Sequence, residues 1–309
     1  MFNGITGRRE VTAMGGFSVM YRDYDRTPYL YTLQWAAKSL GLEVDIQRAE
    51  GYDWAQLLRD GTVDFLAENY YGLQNHRARG APFASVTSAV TWRNEKLLVA
   101  PEIGSVDDLR GKKLAIRGIG PSELGAKLWL KDRGLDQDVE AVVVPDKEMG
   151  RWGNWKKIVG GECHGGFVTN LHVDEAVDEG LKVLPLEPYG LIANVTLTTR
   201  TDVITERREE VATLVRAAFD TSSLFKDDAS TTLEIMSREP MKLMEIESEQ
   251  ALERTYEILR DELSDVPVPS VEGVSNTRRM TLARSDELAD FNPLLMWDLS
   301  FAGSILGER

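Results

Sequence analysis

The stretch from Ser105 to Leu130, S-V-D-D-L-R-G-K-K-L-A-I-R-G-I-G-P-S-E-L-G-A-K-L-W-L, constrains the whole chain. Ser105 with Asp108 three residues on is a capping-box pattern and predicts a short helical turn. Gly111 can take the left-handed backbone that ends such a turn. Lys112 to Ile116 follows as a brief strand, apolar enough to lie in a core. Arg117-Gly118-Ile119-Gly120 then reads as a tight turn. Pro121 suits the first position of a helix that runs to about Arg133 and stops at Gly134. A strand, a glycine turn and a helix amino terminus thus come in succession. They set free backbone N–H groups beside the cation of Arg117, an arrangement that suits a small anion.

The same alternation runs along much of the chain. Val11 to Phe17 reads as a strand, Ser18 to Thr27 as a polar loop, and Pro28 opens a helix carrying Leu30, Leu33, Ala36, Ala37 and Leu40. Leu42 to Ile46 alternates as a half-buried strand, Asp53 caps a short helix, and Val63 to Ala67 is a strand with Glu68-Asn69-Tyr70-Tyr71 at its carboxyl end. After a helix to about Arg79 come strand-like runs at Pro82 to Trp92 and Lys96 to Ala100. Pro101 to Gly104 reads as a crossing and Asn194 to Thr199 as the return. Between them lie the opening stretch and strands at Ala141 to Val144, Cys163 to Val168 and Leu181 to Leu186. Thr205 is read as the cap of a helix over Glu206 to Phe219, and helical stretches follow at Thr231 to Met236, Ser248 to Leu263 and a proline-interrupted Leu288 to Ser300, with Val266-Pro-Val-Pro269 as a linker between two of them. Strands alternating with helices imply mostly parallel sheets, whose ligands sit at the carboxyl ends of the strands. The expected fold is an α/β two-lobed clamshell with a helical C-terminal region. Residues 1–100 plus 200–309 form lobe 1, residues 101–199 form lobe 2, and the ligand cleft lies between them.

Length and charge narrow the function. At 309 residues the chain is long enough for two compact lobes. A net charge of −14 argues against nucleic acid and anionic membrane as partners, so an anionic ligand needs a local basic pocket. The one cysteine, Cys163, excludes an internal disulfide and a cysteine-rich metal site. No apolar run approaches the ~20 residues of a membrane span. The amino terminus shows no h-region, so the expected location is the cytoplasm, or the periplasm if a signal has been trimmed away. The three histidines lie far apart, there is no P-loop, and G-I-G-P-S-E lacks the third glycine of the dinucleotide fingerprint. No metal and no cofactor are therefore expected.

D-D-L-R-G-K-K-L-A-I at Asp107 to Ile116, G-T-V-D-F-L-A at Gly61 to Ala67 and G-G-E-C-H-G-G-F-V at Gly160 to Val168 resemble the type II periplasmic-binding-protein fold, over roughly residues 10 to 220. D-Y-D-R-T at Asp23 to Thr27 and H-R-A-R-G-A-P-F-A-S-V at His76 to Val86 are similar to the 4,5-dihydroxyphthalate decarboxylase-like branch of that fold. The segment after Trp92 and the turn Arg117 to Gly120 depart from that branch. A second branch, which makes the thiamine pyrimidine, uses a cysteine-rich motif absent here and is set aside. The decarboxylase resemblance implies a cytoplasmic lyase acting on a small aromatic or unsaturated carboxylic acid. The alternative is the substrate-binding protein of an ABC-type importer, which uses the same clamshell for capture alone. The partner in either case is a small organic anion, taken as an aromatic carboxylate, and a homodimer is left open.

The candidate acids for the lyase reading are Glu68, Tyr70 and His164. In the first loop Tyr24 can stack on a ring and Arg26 can hold a carboxylate through two parallel N–H bonds, or the segment merely caps the helix. Asn69 belongs to the Glu68 cluster, and Arg93 can reach the cleft or form an ion pair. Arg117, Gly118 and Ser122 make the anion site. Trp152 and Trp155, flanking Asn154, lie over a ligand ring or pack between the lobes. Thr169 and Asn170 end a strand at the cleft as ligand donors. Cys163 and His164, adjacent on a strand, point to opposite faces and cannot pair.

Overall fold

The structure is a computed structural model that describes residues 16–48, 51, 53–93, 95–118, 120–150, 153–169, 172–192, 195–283 and 286–308. Its first part alternates β1 (Gly16–Tyr21), α1 (Thr27–Ser39), β2 (Glu43–Arg48), α2 (Trp54–Arg59), β3 (Phe65–Glu68), α3 (Tyr70–Ala78) and β4 (Phe83–Ser88). A second run holds β5 (Lys96–Val99), β6 (Lys113–Arg117), α4 (Gly120–Asp132), β7 (Glu140–Val144), α5 (Asp146–Met149), α6 (Lys156–Val159), β8 (Gly165–Val168), α7 (Val173–Asp178) and β9 (Lys182–Leu184). The chain then returns through β10 (Thr196–Arg200) into α8 (Thr201–Glu206), α9 (Arg208–Asp227), α10 (Ala229–Met236), α11 (Glu239–Leu243), α12 (Glu249–Glu262), α13 (Val271–Leu282) and α14 (Ser300–Gly307).

Local chemistry sets many of these bounds. Asp53 accepts from the Gln56 amide at 3.1 Å to start α2, and Asn69 accepts from the Tyr71 amide at 2.8 Å to start α3. Asp108 accepts from the Ser105 amide at 2.8 Å, which is the expected capping contact. Gly111 and Gly134 take positive φ where the turn before β6 and α4 end. The first strand extends to Tyr21, into what the sequence suggested was a loop, because it pairs with β2 through Tyr21 and Arg48. Thr205 is not a cap: its hydroxyl donates to the Thr201 carbonyl inside α8.

The strands form two five-stranded sheets, β2-β1-β3-β10-β4 and β7-β6-β8-β5-β9. Each is parallel apart from one reversed strand, β10 in the first and β5 in the second. The fold is therefore the expected α/β clamshell. The segment Asn194 to Thr199, expected as a bare crossing, supplies a strand inside the first sheet. Its polar side chains can be buried because they bond across strands: Thr196 with Ser88 at 2.9 Å, Thr198 with Ser85 at 2.8 Å, and Thr199 to the Asp64 carbonyl at 2.6 Å. Since β5 lies in the second sheet, the chain passes between sheets at 89–95 and again at 185–195. Dividing the lobes at these crossings, rather than at 101 and 199, is our preferred partition. The crossings hold each other: Arg93 N–H donates to the Tyr189 carbonyl at 2.8 Å and Leu191 N–H to the Thr91 carbonyl at 3.1 Å.

One buried cluster joins Phe17, Leu30, Phe65, Val86 and Leu197 to Phe219 of α9 and Tyr256 of α12, so the C-terminal helices complete lobe 1. A second joins Leu97, Leu114, Trp129 and Phe167 in lobe 2. Each such large side chain, fully buried, contributes about 1.5–3 kcal/mol. Helix α13, which was not singled out in the sequence, binds the lobes together. Its Val274 lies in a third cluster with Met20, Leu66 and Tyr70, while its Met280 lies in the lobe 2 core.

Candidate ligand-binding site

In both sheets the carboxyl tips part at the same topological position. β6 pairs with β7 as far as Arg117 and Val144, and β8 pairs with β5 as far as Val168 and Lys96. Between β6 and β8, however, the ladder stops at Ala115 and Gly166. The Asn154 side-chain amide bridges the opening, donating to the Ala115 carbonyl at 3.2 Å and the Phe167 carbonyl at 3.0 Å. In the first sheet β1 pairs with β2 to Tyr21 and β3 with β10 to Glu68, while the β1–β3 ladder stops at Met20 and Leu66. There the Glu68 carboxylate spans the gap, accepting from the Arg22 amide at 2.9 Å and from Arg22 Nη2 at 3.2 Å. These crevices lie where the connections leave to opposite sides of each sheet, the place at which open α/β sheets bind ligands.

The two sets of tips meet across the cleft. Tyr71, in the first turn of α3, packs against the lobe 2 core. Asp174, in the first turn of α7, takes a two-pronged ion pair from Arg254 of α12 at 2.8 and 3.0 Å.

On the lobe 1 wall, Glu68 is buried, and burial pushes its carboxyl up to about 7 against the pull of Arg22. Arg22 and Arg48, which the sequence reading missed, stand at the tips of β1 and β2. Half of the Arg22 side chain is exposed, Arg48 Nε donates to the Arg22 carbonyl at 3.3 Å, and the Arg48 guanidinium lies 5.8 Å from the Tyr24 ring centre. The signal that could have found them is their place at the ends of strands. Asn69 is beside them as the α3 cap. Arg26 turns away from the cleft. Its guanidinium pairs with Glu262 at 2.5 Å, both side chains less than a tenth exposed, so it is committed to the C-terminal helices. Tyr70 is fully buried, lies tilted against Trp297 with ring centres 5.0 Å apart, and donates to the Pro293 carbonyl at 3.2 Å. Burial raises its hydroxyl above the usual range, which unfits it as an acid at neutral pH.

On the lobe 2 wall, Arg117, expected in the glycine turn, is the last residue of β6, and Asp146 holds it through Nε at 2.7 Å and Nη2 at 2.5 Å. The charge of that guanidinium is thereby balanced by the protein itself. Gly118 N–H donates to the Val144 carbonyl at 2.9 Å, and a Cβ there would come within 2.9 Å of Val143. Ser122 lies half-buried in the first turn of α4. Thr169 follows β8 and Gly118 follows β6, both beyond the last paired residues Gly166 and Ala115. Thr169 is 5% exposed, and its hydroxyl has no hydrogen-bond partner among the described residues. Trp155 is buried in the lobe 2 core, and Trp152 and Asn170 lie outside the described residues.

Arg93 sits in the first crossing, its guanidinium 3.7 Å from the centre of the Phe167 ring and 2.6 Å from Glu95. The Glu95 contact is close yet off the N–H axes, so it neutralises the charge without a directed hydrogen bond. His164 is at the wrong end of its strand: its amide donates to the Lys113 carbonyl at 2.8 Å, at the amino end of β6. Of the three candidate acids, then, only Glu68 reaches a crevice. Among the described residues no group of three or more His, Cys, Asp or Glu is placed to hold a metal ion. A surface groove lined by Leu40, Ala212, Arg216, Phe301 and Ile305 lies on α9 and α14 and includes none of these crevice residues.

Residues 38–223, more than half of the chain and spanning both sheets, match one protein family. The chain belongs to the NMT1/THI5-like family. The thiamine-pyrimidine branch's cysteine-rich motif is absent from this member, whose one cysteine is buried Cys163. No curated protein matches the chain. Among solved structures it is similar to the putative sulfonate ABC transporter's periplasmic sulfonate-binding protein SsuA from Methylobacillus flagellatus KT. The identity is 18%, the match covers 96% of each chain, and the TM-score is 0.70. It is also similar to the periplasmic aliphatic sulphonate binding protein SsuA from Escherichia coli, at 14% identity over 91% of this chain and 95% of that one, TM-score 0.66. A third is the alkanesulfonate-binding protein SsuA from Xanthomonas axonopodis pv. citri bound to MOPS, at 13% identity over 89% and 92%, TM-score 0.55. At these identities the likeness is one of fold.

These findings overturn the expectation of a cytoplasmic decarboxylase. The matching family is not the decarboxylase-like branch, and the similar structures are named as binding proteins. The packing of Tyr70 and the placement of His164 agree with that correction. The cytoplasmic expectation loses its support with the lyase. Among the described residues no helix is long and apolar enough to cross a membrane.

Proposed function

We propose that this chain is the substrate-binding component of an ABC-type importer, working in the periplasm, and that it captures a small organic anion between its lobes without chemistry. The observation that carries this reading is the pair of crevices at the strand tips. One is floored by Glu68 with Arg22 and Arg48 beside it. The other is lined by Gly118, Ser122 and the unpartnered hydroxyl of Thr169. The named ligands of the similar structures, sulfonates and MOPS, make a sulfonate the leading head group. The anionic end goes to lobe 2, where α4 offers backbone N–H groups and the positive end of a helix dipole. Tyr24 offers a face for a ring or an alkyl chain on the other wall.

The test is calorimetric titration of the whole chain with MOPS, short alkanesulfonates and benzoate. Micromolar or tighter binding of a sulfonate is expected. Thr169→Val removes the hydroxyl while keeping the shape. It should weaken that binding about fivefold to tenfold, up to about 1.4 kcal/mol, and leave stability unchanged, since the hydroxyl has no partner among the described residues to lose. Failure of every anion to bind would refute the reading.

A further inference from the structure

We infer that Asn154 is a positioning residue, the wedge that keeps the lobe 2 crevice open; this rests on the binding reading above. Nothing in the strands themselves ends the β6–β8 ladder. Both continue, each paired to its outer neighbour, past the point where they part. The parting coincides with the side chain of Asn154, which is 2% exposed. Its Nδ2 takes one carbonyl from each strand, Ala115 at the last paired position and Phe167 just past it, so both donor hydrogens are engaged at the point of parting.

The surroundings are shaped to admit it. Gly166 faces the amide, and a Cβ there would come within 2.8 Å of the Ala115 carbonyl and 3.3 Å of Nδ2. Asn154 lies in the tight turn Gly153–Trp155 that leads into α6, next in the chain to Trp155, which is buried in the lobe 2 core. Its Oδ1 is a buried acceptor with no partner among the described residues. Beyond the wedge the open tips carry Gly118 and Thr169, and the first turn of α4 starts there. Without Asn154 the tips lose the element that fixes their spacing, and Thr169 loses its alignment with α4.

Asn154→Asp separates this role from simple core filling. Aspartate has the same shape but, ionised, offers no donor, and it would set two oxygens against two carbonyls. Residue-resolved amide hydrogen exchange is measured on the ligand-free whole chain for the wild type, Asn154→Asp and Asn154→Ala. Cys163→Ser, a buried change at the opposite end of β8, serves as the control. Exchange at residues 116–118, 122 and 167–169 should change by about tenfold or more in both Asn154 variants, slowing in Asn154→Ala, where the ladder is free to close, and quickening in Asn154→Asp, where oxygens face the two carbonyls, with Leu97–Val99 and Lys113–Ala115 unchanged. Uniform quickening across the lobe 2 sheet, as a merely structural residue would give, or no change at all, overturns the inference. The second readout is MOPS affinity, expected to fall about tenfold in Asn154→Asp. Equal affinity in wild type and variant also overturns it. A wild-type chain that binds no sulfonate instead counts against the importer reading, and the exchange pattern still decides the role of Asn154.

Discussion

Replacing Glu68 by Gln should tilt the pH dependence of stability by an amount that follows from the crevice. The Glu68 carboxyl is 8% exposed at the tip of β3, and burial pushes it up to about 7 from 4.5, with Arg22 opposing and Asp23 adding to the rise. Between those two values the folded chain holds a proton that the unfolded chain has released. The stability this group confers is therefore full below about 4.5 and is lost as the pH rises through about 7. Evaluated at pH 5 and at pH 8, the linkage relation gives a difference of about 2.5 kcal/mol for this one carboxyl. Glutamine keeps an acceptor for the Arg22 amide, now at 2.9 Å, and carries no proton to lose. The variant should therefore gain on the wild type by about 2.5 kcal/mol between pH 5 and pH 8. Urea unfolding of both proteins at unit steps of pH measures it, and taking the difference cancels every other titrating group. A difference that stays flat from pH 5 to pH 8 would mean that Glu68 is ionised throughout, and the argument from burial would be wrong.

Two further outcomes test the separation of scaffold from site. Arg26→Met strands the buried carboxylate of Glu262 and should cost about 3–5 kcal/mol in urea unfolding. The double variant with Glu262→Met should recover most of that loss, and sulfonate affinity should stay within about twofold; a selective loss of affinity would return Arg26 to the site. Arg254→Glu breaks the contact between α12 and α7 at an exposed pair, so stability should move by less than about 1 kcal/mol. A larger mean distance between fluorophores on the two lobes, restored by adding Asp174→Arg, is the expected signature of a cross-lobe latch.

The sequence made the architecture legible because its signals are local. The cap at Asp108, the left-handed glycines and the apolar strand Leu114 to Ile116 each depend on neighbours a few residues away. The arginines were misjudged for the opposite reason. Arg26 finds its partner 236 positions on and Arg117 finds its partner 29 positions on, and no spacing rule reports a partner at such distances. β10 reads as a return crossing, and its place inside the sheet shows only once Ser85 and Ser88 are seen opposite its threonines.

The same limit hid the crevices, since a gap between strands is a property of three segments at once. In each lobe one side chain spans the gap between the parted strands. Lobe 1 uses a carboxylate from its own strand β3, and lobe 2 uses a neutral amide from the turn before α6. That asymmetry gives the cleft a direction. An anionic head approaching lobe 1 meets Glu68 as well as Arg22. At lobe 2 it meets the Thr169 hydroxyl and the start of α4, while Asp146 is engaged by Arg117. The proposed seating of the head against lobe 2 and of the organic remainder against Tyr24 therefore rests on directed donors, the Thr169 hydroxyl and the start of α4, rather than on net charge, with Asn154 fixing how wide that seat is.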